Sequence, residues 1–286
     1  MRIGINLLVR NLREHPLHAR ALGFAFRSLF ENEHDLQAHL CHVAVIDNAS
    51  TCPITMAWLN QLEARHPANV SVVRLPVNYG IAKGRNVGYK LLGEIDPDYV
   101  LEIHTDHIFP SLWLQPMLDT MEAPGNERIG ILGPALLTDR VAWSVGHLHI
   151  DYTGEYQPAR DLVEDAAAGL RNAGRVVPGL THPALKRWTM LQEIGFYDED
   201  LPGLSNWEDT EEAYRAHQSG WTSAVDFGSV VYHHYHFSRC DPGVTNHLRD
   251  YEVNGRYCMK KHGEEFNAFA ARLGQWMDQA YAGVTA

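Results

Sequence analysis

Positive charge is in short supply along this 286-residue chain: 24 lysines and arginines stand against 35 acidic residues, a formal net charge of −11. A polyanion needs a basic face, so no nucleic-acid partner is expected. Cysteine is scarce too. The four present, Cys41, Cys52, Cys240 and Cys258, make no C-x-x-C pair and no zinc-type spacing. They read as reduced thiols of a cytoplasmic protein, although Cys41 and Cys52 would be able to pair in an oxidising compartment. No run of about 18 apolar residues occurs, so no transmembrane helix is expected. Met1-Arg2-Ile3-Gly4 leads straight into a strand-like segment, without the pattern of a secretory leader. Also missing are the G-x-G-x-x-G and G-x-x-x-x-G-K-[ST] spacings, which leaves neither a Rossmann dinucleotide site nor a P-loop supported. Internal repeats and low-complexity tracts are lacking. What is there, 45% hydrophobic and 21% charged, is an ordinary globular composition. The length suffices for one large core or two modest ones.

Hydrophobic patterning then sets out an α/β chain. Apolar, β-branched runs predict strands over 3–9, 43–46, 70–75 and 99–103. Helical spacing predicts helices over about 15–32, 54–65 and from the glycine-rich stretch toward Leu92. That β-α alternation argues a mostly parallel central sheet flanked by helices. The second half is less regular. A buried strand is expected over 129–134, a hairpin over 141–152 with a turn at Thr153-Gly154, and a mobile surface helix or loop over 161–174. A helix over 185–194 would close at Gly195 and another over 210–219 at Gly220, with Asp209 and Glu212 as a capping-box variant. A last strand over 223–232 and a helical tail over about 246–281 complete the pattern.

Chemistry concentrates in four places. Tyr99 to Ile103 ends in His104-Thr105-Asp106-His107, and strand alternation would put Glu102, His104 and Asp106 on one side. Asp47-Asn48 ends the second strand, where Asx side chains also suit a plain turn. Asn78 to Gly88 is a glycine-rich turn before a helix. Trp207-Glu208-Asp209 precedes a helix, and His233-His234-Tyr235-His236 follows downstream.

Together these segments resemble family-2-type glycosyltransferases of the GT-A fold. Val45-Ile46-Asp47-Asn48-Ala49-Ser50 is similar to that family's second-strand motif. Asn78-x-Gly80-x-Ala82-x-Gly84-x-Asn86-x-Gly88 is the most specific match. His104-Thr105-Asp106 takes the place of its D-x-D metal motif, with histidine where the first aspartate would stand. Gly195-Phe196-Tyr197-Asp198-Glu199, Glu208-Asp209, Arg215, Gly220-Trp221 and Lys261-His262-Gly263 resemble its acceptor-side and closing signatures.

The resemblance implies a single GT-A domain over 1–240, with residues 1–110 binding a nucleotide-sugar and 111–240 the acceptor, and a helical extension over 241–286 packed on it. It implies donor contacts from Val9, Asn11, Asp47, Asn78, Gly80, Lys83, Asn86 and Thr105. Arg85 suits either the donor or a solvated face. It also implies a divalent ion on His104, Asp106 and His233, with His234 and His236 as fallback ligands. Mixed nitrogen and carboxylate donors favour Mn²⁺ over Mg²⁺. Asp209 would be the general base, Glu208 the runner-up, and the transfer of sugar to an acceptor hydroxyl would invert the anomeric centre. Trp143, His147, His149, Tyr152, Tyr156 and Trp188 are the expected acceptor wall, with 161–174 as a lid. A nucleotidyltransferase and a non-catalytic nucleotide-sugar-binding protein are the competing readings, and the oligomeric state is open.

Overall fold

The computed structural model describes residues 1–13, 15–31, 39–65, 68–139, 143–234 and 247–282. The first half alternates as expected: β1 (Arg2–Val9), α1 (Pro16–Glu31), β2 (Leu40–Asp47), α2 (Pro53–Arg65), β3 (Val70–Arg74), α3 (Gly80–Gly93) and β4 (Tyr99–Ile103). Then come β5 (His107–Ile108), α4 (Leu114–Glu122), β6 (Ile129–Thr138), β7 (Gly146–His147), α5 (Tyr156–Leu170), β8 (Val176–Pro178), β9 (Ala184–Arg187) and α6 (Trp188–Ile194). The chain closes with α7 (Glu208–Gln218), β10 (Thr222–His233), α8 (His247–His262) and α9 (Glu264–Tyr281).

One sheet organises these elements, in the order β3-β2-β1-β4-β9-β6-β10-β5, with β7 on β6 and β8 on β10. β3, β2, β1 and β4 run parallel, as do β6 and β10, whereas β9 lies antiparallel between β4 and β6. Helices cover both faces, which is why the central strands are buried almost throughout. One core gathers β1, β2 and β4 with α1, α2 and α4. A second gathers α5 with β6 and β10. The third joins α3, α6 and α7 to Cys258, Phe266, Phe269 and Leu273 of the last two helices.

Three local expectations change. The helix over 185–194 is shorter, because 185–187 join Ala184 in β9 instead. Apolar Ala184 and Leu185 suit either state, and pairing with β4 decides. In place of the hairpin, the described residues show only β7, two residues long and parallel to β6. The segment over 161–174 belongs mostly to α5, whose Tyr156, Ala159, Val163 and Ala167 are buried, so this helix is seated in the core rather than hung over the site. Cys41, Cys52 and Cys258 are free thiols, while Cys240 lies outside the described residues. Among the described residues, no helix is long and apolar enough to cross a membrane.

Candidate active site

The glycine-rich stretch builds the floor. Gly84 and Gly88 fall on one face of α3, and a Cβ on them would stand 2.5 Å from Leu8 and 2.4 Å from Asn6, respectively. A side chain there would have to displace Leu8 or Asn6, so α3 lies close against β1. Gly80 opens the helix at φ 79°, a left-handed conformation in which a side chain would strike the Leu204 backbone. Asn48 ties this turn down, donating to Asn78 Oδ1 (2.9 Å) and the Gly80 carbonyl (3.1 Å) and accepting from the Tyr79 N–H (2.8 Å).

Above this floor lies a cleft of about 580 Å³. Arg10, Asn48, Asn78 and Gly80 line one end, His104, Thr105, Asp106 and His233 the middle, and Glu208 and Asp209 the side near α7. The sequence-predicted metal and catalytic residues therefore share a single cavity. Of the predicted donor residues, Asn78, Gly80 and Thr105 line it. Lys83 lines a smaller adjoining hollow with Asn78 and Glu199.

Val9, Asn11, Asp47 and Asn86 are not among the lining residues. Val9 is fully buried in the core. Asn11 donates to Thr55 Oγ1 (2.9 Å), and Asp47 accepts the Ser50 N–H (2.9 Å) in a turn. Asn86 donates to the Tyr197 carbonyl (2.8 Å) and Glu199 (2.9 Å) and accepts the Tyr197 N–H (3.0 Å), clamping α3 to the loop after α6. The side chains proposed to grip a ligand are thus engaged in holding the frame. The cation facing the donor end is Arg10 instead, its guanidinium held by the carbonyls of Asn48 (3.0 Å) and Ala49 (3.1 Å). Arg85 also reaches the cleft, donating to the carbonyls of Asn6 (2.5 Å) and Ile103 (2.7 Å).

The metal-competent cluster forms because β10 pairs with β5, setting His233 opposite His107. Potential ligand atoms of His104, Asp106, His107 and His233 lie within 4.8 Å of one another. His233 Nε2 is 3.5 Å from Asp106 Oδ1. Burial first, and the neighbouring rings second, hold His104 and His107 well below the ordinary histidine pKa. Neutral rings keep the lone pair that a metal needs. His107 differs from the rest: its Nδ1 accepts the His104 N–H (3.1 Å), so a neutral ring carries its proton on Nε2, buried and free of any hydrogen-bond partner among the described residues, and has no lone pair left for a metal. His104, Asp106 and His233 therefore fit a first-row divalent ion, mixing imidazole and carboxylate donors. His234 faces Asp139 at 3.5 Å instead, and His236 lies outside the described residues. Glu102 is near His104 but is no ligand, because Lys186 (3.0 Å) and Arg85 (3.5 Å) already neutralise it.

Asp209 is delivered by an unusual entry to α7. Asn206 and Trp207 both adopt left-handed backbone conformations, at φ 74° and 73°, which costs a bulky residue on the order of 1 kcal/mol or more. The helix starts at Glu208 with Trp207 as its cap residue and no side-chain cap. Asp209 is therefore not a helix cap, and Glu212 pairs with Lys186 at 2.7 Å rather than closing a capping box. Both Asp209 oxygens are occupied: Tyr197 OH donates to Oδ1 (3.0 Å), and His182 Nε2 meets Oδ2 at 3.1 Å. Burial alone would raise this carboxyl, but His182, Lys186 and the Tyr197 hydroxyl together outweigh it and hold Asp209 below the ordinary aspartate pKa. Conversely, burial would lower His182, and Asp209 with Glu102 lifts it above the ordinary value.

Sequence reasoning missed His182 and the charged layer beneath it. Lys186 is 1% exposed and contacts Glu102, Glu212, Tyr89 OH (2.9 Å) and Tyr197 OH (2.8 Å). Tyr197 in turn joins this layer to Asp209. A charge inside each of two strands, Glu102 in YVLEI and Lys186 beside Arg187 in ALKR, was the available signal. Of the expected acceptor wall, only Trp143 lines the cleft. Tyr152, Tyr156 and Trp188 are buried in the cores.

Comparison with known proteins agrees with this geometry. Residues 18–134 match glycosyl transferase family 2. No curated protein sequence matches significantly. Similar solved structures include S. aureus TarS 1-349 (13% identity, TM-score 0.58, covering 99% of this chain and 72% of that one). A mannosyltransferase from Pyrobaculum calidifontis, solved with GDP-Man and Mn²⁺, is 15% identical (TM-score 0.56, covering 99% and 73%). GalNAc-T7, solved with UDP, GalNAc and Mn²⁺, is 14% identical (TM-score 0.56), with 82% of this chain covering 44% of that one. The chain thus has the GT-A fold of these glycosyltransferase structures, and its residues 18–134 match glycosyl transferase family 2.

Proposed function

We propose that the protein moves a sugar from a nucleoside-diphosphate sugar to an acceptor hydroxyl, with divalent-metal assistance and inversion at the anomeric carbon. One observation carries this: Asp106 and Asp209 line the same cleft. Solved structures of similar fold hold UDP-GlcNAc or GDP-Man, which supports such a donor. The nucleoside would lie toward Arg10, Asn48 and Asn78. His104, Asp106 and His233 would hold the ion, which as a Lewis acid would offset charge on the leaving diphosphate. His107 would donate its Nε2–H toward that same charge.

Asp209 would accept the acceptor's proton. Its pairing with His182 weakens it as a ground-state base, so proton transfer belongs late, when attack has made the hydroxyl acidic. Tyr197 and His182 fix both of its oxygens and thereby its aim. The expected outcome is release of nucleoside diphosphate from one of a panel of UDP-, GDP- and dTDP-sugars, lost with EDTA and restored by Mn²⁺. Proton NMR of the new anomeric centre reads the stereochemistry. Unchanged turnover in EDTA refutes the metal role. A retained configuration refutes inversion.

The neutralised Asp209 favours a second reading, a nucleotide-sugar-binding protein without turnover. Binding of a donor with no diphosphate release under any acceptor would select it.

A further inference from the structure

We propose that the acceptor is amphipathic: its reacting hydroxyl sits on a polar head at Asp209, and a hydrocarbon aglycone runs along an apolar extension of the cleft. The inference rests on the transferase reading above and names the substrate class for it. Beyond Asp209 and His182 the cavity continues to Leu180, walled by Leu273, Gly274 and Met277 of α9. None of these carries a charge. α9 is fixed against the cleft, since Met277 Sδ accepts the Leu180 N–H (3.3 Å).

The polar groups bordering this end are already used within the protein. Trp143 Nε1 donates to Asp278 (2.9 Å), and Trp207 Nε1 donates to the Tyr251 carbonyl (2.8 Å). Thr181 Oγ1 donates to the Pro134 carbonyl (2.7 Å). The two indoles therefore offer faces rather than donors. A second free sugar at this end would need convergent hydrogen-bonding groups to replace its lost water, and would be poorly served. A hydrocarbon asks for none and gains from leaving water. Continuity matters as much as polarity: the apolar extension opens from the same cavity as the catalytic carboxylate, so one molecule can occupy both.

Gly274 supplies the test. A Cβ there would meet nothing within 4 Å, so a larger side chain projects into open space without straining α9. Isothermal calorimetry compares methyl and n-hexyl β-glucoside binding to the full chain with UDP and Mn²⁺ present, and acceptor KM is read in parallel. Burying two of the five extra methylenes corresponds to roughly tenfold tighter binding of the hexyl compound. Gly274→Leu is expected to erase that advantage while leaving the methyl glucoside within about twofold. Equal affinity for the two glucosides in the wild type overturns the proposal, whatever the variant does. So does an advantage that survives Gly274→Leu in protein whose UDP-induced thermal shift is intact. Donor hydrolysis without any hydrocarbon preference refutes this inference alone, whereas failure to bind any nucleotide-sugar refutes the transferase reading beneath it.

Discussion

Replacing Lys186 by methionine removes an ammonium that Glu102 and Glu212 share at 3.0 and 2.7 Å, with all three side chains about 1% exposed. At an effective dielectric near 20, each contact is worth roughly 5–6 kcal/mol of attraction, most of it offset by the cost of burying the charges. Removing one side leaves that cost uncompensated, and a loss of about 3–5 kcal/mol is expected. Against a total of about 5–15 kcal/mol, that is a large share. Urea denaturation at pH 7, followed by tryptophan fluorescence, reads it as a lower midpoint at constant slope. Burial already raises Glu212 above its ordinary value, and with the ammonium gone that carboxyl is pushed further above its unfolded value, while Glu102 keeps only Arg85. A carboxyl raised in this way subtracts stability at neutral pH and ceases to do so once protonated, so the deficit shrinks as pH falls toward about 4. Adding Glu102→Gln and Glu212→Gln removes the stranded charges and is expected to recover at least half of the loss. A Lys186→Met protein within about 1 kcal/mol of wild type refutes the reasoning, because the layer would then be hydrated rather than buried.

Other perturbations probe separate parts of the molecule. Asp209→Asn is expected to fold normally, keep nucleotide binding and lose about 10²–10⁴-fold in kcat, measured by diphosphate release. Asp106→Asn or His233→Ala weakens Mn²⁺ binding in calorimetry with UDP present, whereas His234→Ala, which faces Asp139, leaves it as it was. In the wild type, Lys186 and Arg85 outweigh the burial that would raise Glu102, holding it down to about 2. Its contribution is therefore present above the unfolded carboxylate value of about 4.3 and is lost as pH falls from there toward the folded one, which melting temperatures across that range record. Gly88→Ala drives a methyl to within 2.4 Å of Asn6 Oδ1 and is expected to cost about 1–3 kcal/mol of stability.

The sequence made the parallel half of the sheet plain, since β1 to β4 are apolar runs between helical stretches and each pairs with a neighbour through a standard crossover. It also marked His104, Asp106, His233 and Asp209, because those side chains sit at element ends where a motif stays local. What it hid is non-local. β9 is four residues long and earns its state from the strands on either side. His182 becomes a partner of Asp209 only because β9 enters the sheet beside β4, and nothing in Thr181-His182-Pro183 announces that. The aromatic wall failed for a related reason. Large apolar rings satisfy a core as readily as a ligand, and Tyr152, Tyr156 and Trp188 went to the core. Alternation along β4 also stops at Ile103, so Asp106 reaches His104 through a turn and not through strand geometry.

The spacing of Gly80, Gly84 and Gly88 has an implication for how such chains are recognised. Its glycines record how closely a helix must approach a strand, and its last asparagine serves as a clamp between that helix and the loop after α6. On the proposed role of Asp209, a descendant that kept all of them and exchanged Asp209 for alanine would still assemble and still bear the same fingerprint, while losing most of its transfer. Here the motif certifies the chassis. On the proposed function, whether an engine is fitted would be written in Asp209 and its partners, residues that the fingerprint does not contain.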